Sequence, residues 1–164
     1  MLAKRLYVLG LSILLLGGCG FQLRSYDLDA NLQSYALAGQ VRSEIAAPLQ
    51  RTLRQLGVAE VERSAASVVV NILDQRSRRR SVSTSGQARA AEYELDYSVL
   101  YQLEDGSGNA LGEPVWIERQ RVYRIDRGNI VGSSEEQAIL RRELLNDVAG
   151  QIVRAMDLVS RPAS

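Results

Sequence analysis

The stretch from Ala90 to Glu104 fits one backbone conformation. Tyr93, Leu95, Tyr97, Val99, Tyr101 and Leu103 alternate with Glu92, Glu94, Asp96, Ser98 and Gln102, and only Leu100 breaks the pattern. Successive side chains of a strand point to opposite faces, so this period of two specifies one long strand with an apolar face and a wet face. The apolar face must be covered by other elements, which commits the chain to a layered fold. Tyr93, Tyr97 and Tyr101 read as core residues, because their neighbours in phase are Leu95, Val99 and Leu103.

The rest of the sheet is read outward from this strand. Asp105-Gly106-Ser107-Gly108-Asn109 has the composition of a turn, and Val115 to Ile125 returns antiparallel through it. In that strand Arg119 and Arg121 fall in phase with Val115, Ile117, Tyr123 and Ile125, which calls for a bulge or for a strand longer than its core. On the N-terminal side, Ala66 to Gln75 carries apolar residues on both faces and runs into Arg76-Ser77-Arg78-Arg79-Arg80-Ser81-Val82. Continued as a strand, this places Arg76, Arg78 and Arg80 on one face and Arg79 on the other. Leu32 to Leu37 makes a short strand closed by Gly39, and Val58 to Ala65 reads as linker with at most a brief strand.

Two helices complete the pattern. Val41, Ile45, Leu49, Leu53 and Leu56 recur at helical spacing, with Ser43 as the N-cap candidate and Gly57 just past the end. Pro48 conflicts with a start at Ser43, so the helix either kinks or becomes regular only near Ala47. Arg51 and Arg54 lie off the stripe and read as a solvated face. Leu140, Leu144, Val148, Ile152, Met156 and Val159 form the stripe of a last helix, capped at Ser133 or Ser134 and ending near Ser160. The expected fold is α+β: a two-layer sandwich in which a mostly antiparallel four-stranded sheet carries two helices on one face. It occupies residues 32–160 as a single domain, with 161–164 as a tail.

The N-terminus reads as an address. Lys4 and Arg5 precede a largely apolar run from Leu6 to Leu16, which is short of the ~20 residues a membrane span needs but suits a signal peptide. Leu16-Gly17-Gly18-Cys19 then resembles a bacterial lipobox, cut before a cysteine that receives lipid. The small glycines fit a narrow peptidase site, and the thiol is the nucleophile for acyl transfer. Residues 1–18 are thus a cleaved signal peptide and 19–31 a lipidated tether. The residue after Cys19 is Gly20 rather than the Asp that retains such lipoproteins at the inner membrane, which implies the outer membrane, on its periplasm-facing leaflet.

Composition narrows the function classes. Taking Lys4 and Arg5 from the 20 basic and 19 acidic residues turns the net charge from +1 to −1, so no bulk charge points to nucleic acid. There is no histidine, and Cys19 is the one cysteine, which excludes an internal disulfide, Cys/His catalysis and a Cys/His zinc site. No glycine-rich phosphate loop follows a strand, and no cofactor is implied. A carboxylate-based hydrolase stays open in principle, although Glu92, Glu94 and Asp96 sit in regular alternation on a wet face rather than in an obvious catalytic pair.

Particular words in the chain carry a resemblance. Cys19-Gly20-Phe21-Gln22-Leu23-Arg24, then Gly86-Gln87 with Ala91-Glu92-Tyr93-Glu94, then Glu136-Gln137 at the last helix, together with the order of elements, resemble the LptE family of lipopolysaccharide-assembly lipoproteins. The resemblance implies a non-enzymatic outer-membrane lipoprotein. It implies a one-to-one partnership with the β-barrel LptD, which such proteins plug and help to assemble, and binding of lipopolysaccharide on its way to the outer leaflet. The alternative is a lipoprotein accessory of another outer-membrane machine, in barrel assembly or envelope sensing.

Arg76, Arg78, Arg79, Arg80 and Arg89 are the candidate contacts to lipopolysaccharide or barrel. Guanidinium groups pair phosphates and carboxylates bidentately, so a cluster at a strand end makes an anion-binding tip. The competing reading is a solvated strand end, or arginines that meet acidic residues on the barrel wall or at Glu92 and Glu94.

Overall fold

The structure is a computed structural model that describes residues 32–83, 90–126 and 130–161. In chain order these form β1 (Ser34–Gly39), α1 (Ala46–Gln55), β2 (Ala59–Glu60), a 3₁₀ turn (Arg63–Ala65), β3 (Val68–Ser83), β4 (Ala90–Glu104), β5 (Val115–Asp126) and α2 (Ile130–Ser160). Cys19 with its signal peptide and tether, Gly86-Gln87 and Arg89 lie outside the described residues.

The sheet has five strands in the order β2-β1-β3-β4-β5. β1 is parallel to both its neighbours, while β3, β4 and β5 form an antiparallel meander. This corrects the expected four-stranded, mostly antiparallel sheet. α1 carries the chain back along β1, so the strands that follow enter parallel to it, as in any strand–helix–strand crossover. β2 is only two residues long, too short for any periodicity to reveal it.

Pro48 explains where α1 begins. The regular helix starts at Ala46, so Pro48 occupies its first turn, where backbone N–H groups have no intrahelical partner. Ser43 is not the cap; Ile45 stands there, without a side-chain cap bond. Val41 lies outside the helix and is exposed. Gly57 ends α1 as expected, with φ +78°, while Val58 N–H donates to Leu53 O at 3.0 Å. α2 starts at Ile130, earlier than expected, and Ser133 and Ser134 lie inside it. No described helix is long and apolar enough to cross a membrane.

Both helices pack on one face of the sheet. Leu49 and Leu53 of α1 and Leu144, Val148, Ile152 and Met156 of α2 share a buried core with Tyr35, Val68, Val70, Ile72, Leu95, Tyr97, Val99 and Tyr101. Tyr97 and Tyr101 are buried and Tyr93 packs at the core's margin, so these tyrosines are structural. Beneath the other face Ala36, Ala66 and Val69 form a small second cluster. The 3₁₀ turn is held there by Glu104, which accepts from Asn71 Nδ2 at 2.7 Å and pairs with Arg63.

Candidate functional site

A single residue in β3 decides which way the arginines point. Val68, Val70 and Ile72 face the helices and are almost fully buried. Unbroken alternation from them would turn Asp74, Arg76, Arg78 and Arg80 to the same side. Instead Ile72 pairs with Tyr101 and Asp74 with Leu100, so Leu73 has no partner on β4. One inserted residue reverses the facing of everything after it. Arg76, Arg78 and Arg80 therefore stand beside Ser98, Asp96 and Glu94 on the face that neither described helix covers, and Arg79 pairs with Leu95 on the helix face. β5 adds Trp116, Glu118, Gln120, Val122 and Arg124 to the uncovered face.

The uncovered face is a ladder of opposite charges. Arg80 Nε donates to Glu94 Oε1 at 2.7 Å, Arg80 Nη2 lies 2.5 Å from the same oxygen, and Asp96 Oδ2 is 3.8 Å away. Arg76 Nε and Nη2 reach Asp74 Oδ2 at 3.0 and 2.9 Å, and its guanidinium lies 4.6 Å from the centre of the Trp116 ring. Arg124 Nη2 donates to Glu92 Oε1 at 2.7 Å. Arg78 makes no hydrogen bond or ion pair among the described residues. Arg76, Arg78, Asp96, Ser98, Trp116 and Glu118 enclose a depression of about 210 Å³.

Titration reflects this pairing. The Glu94 hydrogen bond and charge hold Arg80 above its ordinary range, and Glu92 does the same for Arg124. Asp96 is pushed up, first by removal from water, then by the Glu94 charge and hydrogen bond, with Arg80 opposing. Asp96 and Glu118 are thus carboxylates in one depression, shared with Arg76 and Arg78, and Glu94 is engaged by Arg80. The arrangement suits binding of a surface or a polyionic partner more than acid–base chemistry at one bond.

Of the expected contact residues, the structure brings Arg76, Arg78 and Arg80 together and sends Arg79 to the other face. There its guanidinium lies 5.0 Å from the Tyr93 ring centre. The Glu94 partner fits the reading in which these arginines meet their own acidic neighbours. Sequence reasoning missed Trp116, whose signal was its status as the chain's one tryptophan. It also left open the two arginines of β5. No bulge interrupts β5 against β4; Arg121 pairs with Asp147 of α2, and Arg119 Nη1 donates to Glu118 O at 2.7 Å.

Comparison with known proteins gives a consistent picture. Residues 27–156 match the family model described as LptE, lipopolysaccharide-assembly. A protein of Photorhabdus laumondii named LPS-assembly lipoprotein LptE is 29% identical over 160 residues, covering 91% of this chain and 82% of that one. Its namesake in Pectobacterium atrosepticum is 28% identical over 159 residues, with the same coverage. Among solved structures, a minor lipoprotein from Acinetobacter baumannii aligns with a TM-score of 0.63 at 23% identity, over 81% of this chain and 96% of that one, which bears on the fold alone.

Proposed function

The chain belongs to the LptE, lipopolysaccharide-assembly, family, and on that premise we propose that it is an outer-membrane lipoprotein acylated at Cys19 that plugs LptD and assists its assembly. It binds lipopolysaccharide as that lipid passes to the outer leaflet, and it faces the periplasm. The observation that carries this reading is the extent of the family match, which takes in all five strands and α2 as far as Met156. The relatives' names describe assembly, not a reaction, and the role assigned here is non-catalytic. A sheet face lined by both signs of charge suits a protein that lies against large polyionic partners.

The experiment is affinity purification of the tagged, lipidated protein from outer membranes solubilised in mild detergent, with co-purifying chains identified by mass. The expected result is one large β-barrel at equal stoichiometry, with lipopolysaccharide. Recovery of the protein alone while the barrel is present in the extract, or with a different set of partners, overturns the plug assignment in favour of another outer-membrane machine.

A further inference from the structure

The outer edge of β5 is open. β5 is the last strand of the sheet, and among the described residues no strand pairs with its far side. Leu103 O accepts from Leu111 N–H at 2.8 Å, so the odd-numbered residues of β4 turn their backbone groups towards β5. Of these, Val99 and Tyr97 stand opposite Ile117 and Arg119. The backbone groups of Trp116, Glu118 and Gln120 therefore point outwards, away from β4. Two of the outward carbonyls are met by side chains: Arg119 Nη1 donates to Glu118 O at 2.7 Å, and Arg121 Nη1 to Gln120 O at 3.0 Å.

α2 walls a groove along this edge. Tyr123 Oη donates to Gln137 Oε1 at 3.1 Å, Arg121 pairs with Asp147, and Ile117 shares a cavity with Ala155 and Leu158. The helix thus runs antiparallel alongside β5. The cavity, of about 390 Å³, wraps the strand edge: Trp116 and Glu118 line it from one face of the sheet, Ile117 and Arg119 from the other. Leu158 stands 65% exposed beside it. Gln151 lines the same cavity, and its Oε1 is buried with no hydrogen-bond partner among the described residues. Such an acceptor costs free energy until a donor reaches it.

We propose that this edge receives an extended segment of the barrel partner as a further strand, laid between β5 and α2. The proposal rests on the plug reading above and deepens it by naming a place where the two chains join. A free strand edge beside a groove selects an extended backbone: main-chain bonds give affinity, and the groove takes alternate side chains. The segment that fits carries an aliphatic residue for Ile117, Ala155 and Leu158 and an acidic residue for Arg119 and Arg154, which line the groove together. The acid draws Arg119 off Glu118 O and frees that carbonyl for an incoming N–H. Without the acid the two arginines cover the edge, which keeps unrelated strands away. A second copy fits poorly. Antiparallel pairing of two β5 strands near full length sets Arg119 of one copy against Arg121 of the other, or Arg121 against itself, and like charges directly opposite are destabilising.

The test uses the full-length lipidated protein, alone and in its complex with the barrel, purified from outer membranes in mild detergent. A photo-crosslinking amino acid replaces Leu158, and in the unmodified protein hydrogen exchange of the β5 amides is compared between the two states. The expected result is crosslinks that converge on one segment of the barrel chain. The amides of Trp116, Glu118 and Gln120 should exchange at least about tenfold more slowly in the complex, as amides that gain a strand partner do. Leu158→Glu changes an exposed side chain, so it should keep the unfolding midpoint while losing most of that added protection. A complex at equal stoichiometry whose β5 amides exchange as in the free protein keeps the plug reading and overturns the added strand. Crosslinks to residues 19–31 of the same chain, or to a second copy, give the edge another occupant and also overturn it. A protein that brings down no barrel overturns the plug reading and this proposal with it.

Discussion

Arg80 and Glu94 face each other across β3 and β4, the Arg80 Nε donating to Glu94 Oε1 at 2.7 Å, and Glu94 is buried while Arg80 is exposed. Part of the arginine run is thus already committed to the protein's own carboxylates. Arg80→Ala should lower the urea midpoint, because it leaves a carboxylate with little access to water and without its strongest donor. Arg80→Lys should restore part of the loss, since an ammonium replaces the charge but not the two-pronged geometry. Equal stability of Arg80→Ala and the parent would mean that Glu94 finds other partners.

Asp96→Asn should stabilise the protein at neutral pH. Asp96 is held above the ordinary carboxylate range, chiefly by removal from water and next by Glu94, with Glu118 adding repulsion and Arg80 opposing. Arg78 stands opposite it in register. A carboxyl whose folded pKa exceeds its unfolded value weakens the fold above the folded pKa, and that penalty disappears as pH falls through it. The asparagine variant's advantage should therefore be full near pH 7 and shrink on acidification towards the unfolded value of about 3.9. Urea midpoints at both pH values check this, and a less stable variant at neutral pH would show that the attraction of Arg80 and Arg78 outweighs burial.

Much of this architecture is legible from side-chain period alone. The alternation of Tyr93 to Leu103 places β4, and the stripe from Leu140 to Met156 places α2, because each pattern is long and each buries one face. What escapes is set by single residues or by pairs. β2 consists of Ala59 and Glu60, and two residues carry no period. Leu73 looks like any other strand residue, yet its lack of a partner on β4 decides that Arg76, Arg78 and Arg80 avoid the helix side. Bulges arise from the fit between neighbouring strands, which one strand's own pattern does not contain. The arginine cluster and its division between two faces were visible in the sequence; which of the two groups faces the helices depended on that bulge.

Gly39 and Gly57 separate two costs of the same substitution. Both hold positive φ, +71° and +78°. A Cβ on Gly57 would meet nothing within 4 Å, whereas one on Gly39 would lie 2.2 Å from Ile72 O and 2.5 Å from Asn71 Oδ1. Gly57→Ala should therefore cost only the left-handed backbone term, about 1 kcal/mol. Gly39→Ala should cost clearly more, about 3 kcal/mol, since the obstructing Ile72 oxygen is backbone and also accepts from Gln40 N–H at 2.8 Å. Equal losses in urea unfolding would show that the end of β1 can move away from β3.

Arg78→Ser is the cleanest test of anion binding by the cluster. Replacing Arg78, Arg79 and Arg80 together would mix two effects, because Arg80 holds Glu94 and Arg79 lies over Tyr93. Arg78 makes no hydrogen bond or ion pair among the described residues, and it lines the depression with Trp116 and Arg76. An exposed side chain without partners changes stability by no more than about 0.5 kcal/mol when removed. If the depression receives a phosphate or carboxylate of lipopolysaccharide, losing one charge-assisted contact there weakens binding by roughly tenfold, about 1.4 kcal/mol. The comparison is binding of purified lipopolysaccharide by parent and variant at matched salt, with unfolding midpoints measured alongside. Unchanged binding at equal stability would remove the uncovered face from lipopolysaccharide contact and leave its arginines a structural role in pairing β3 to β4.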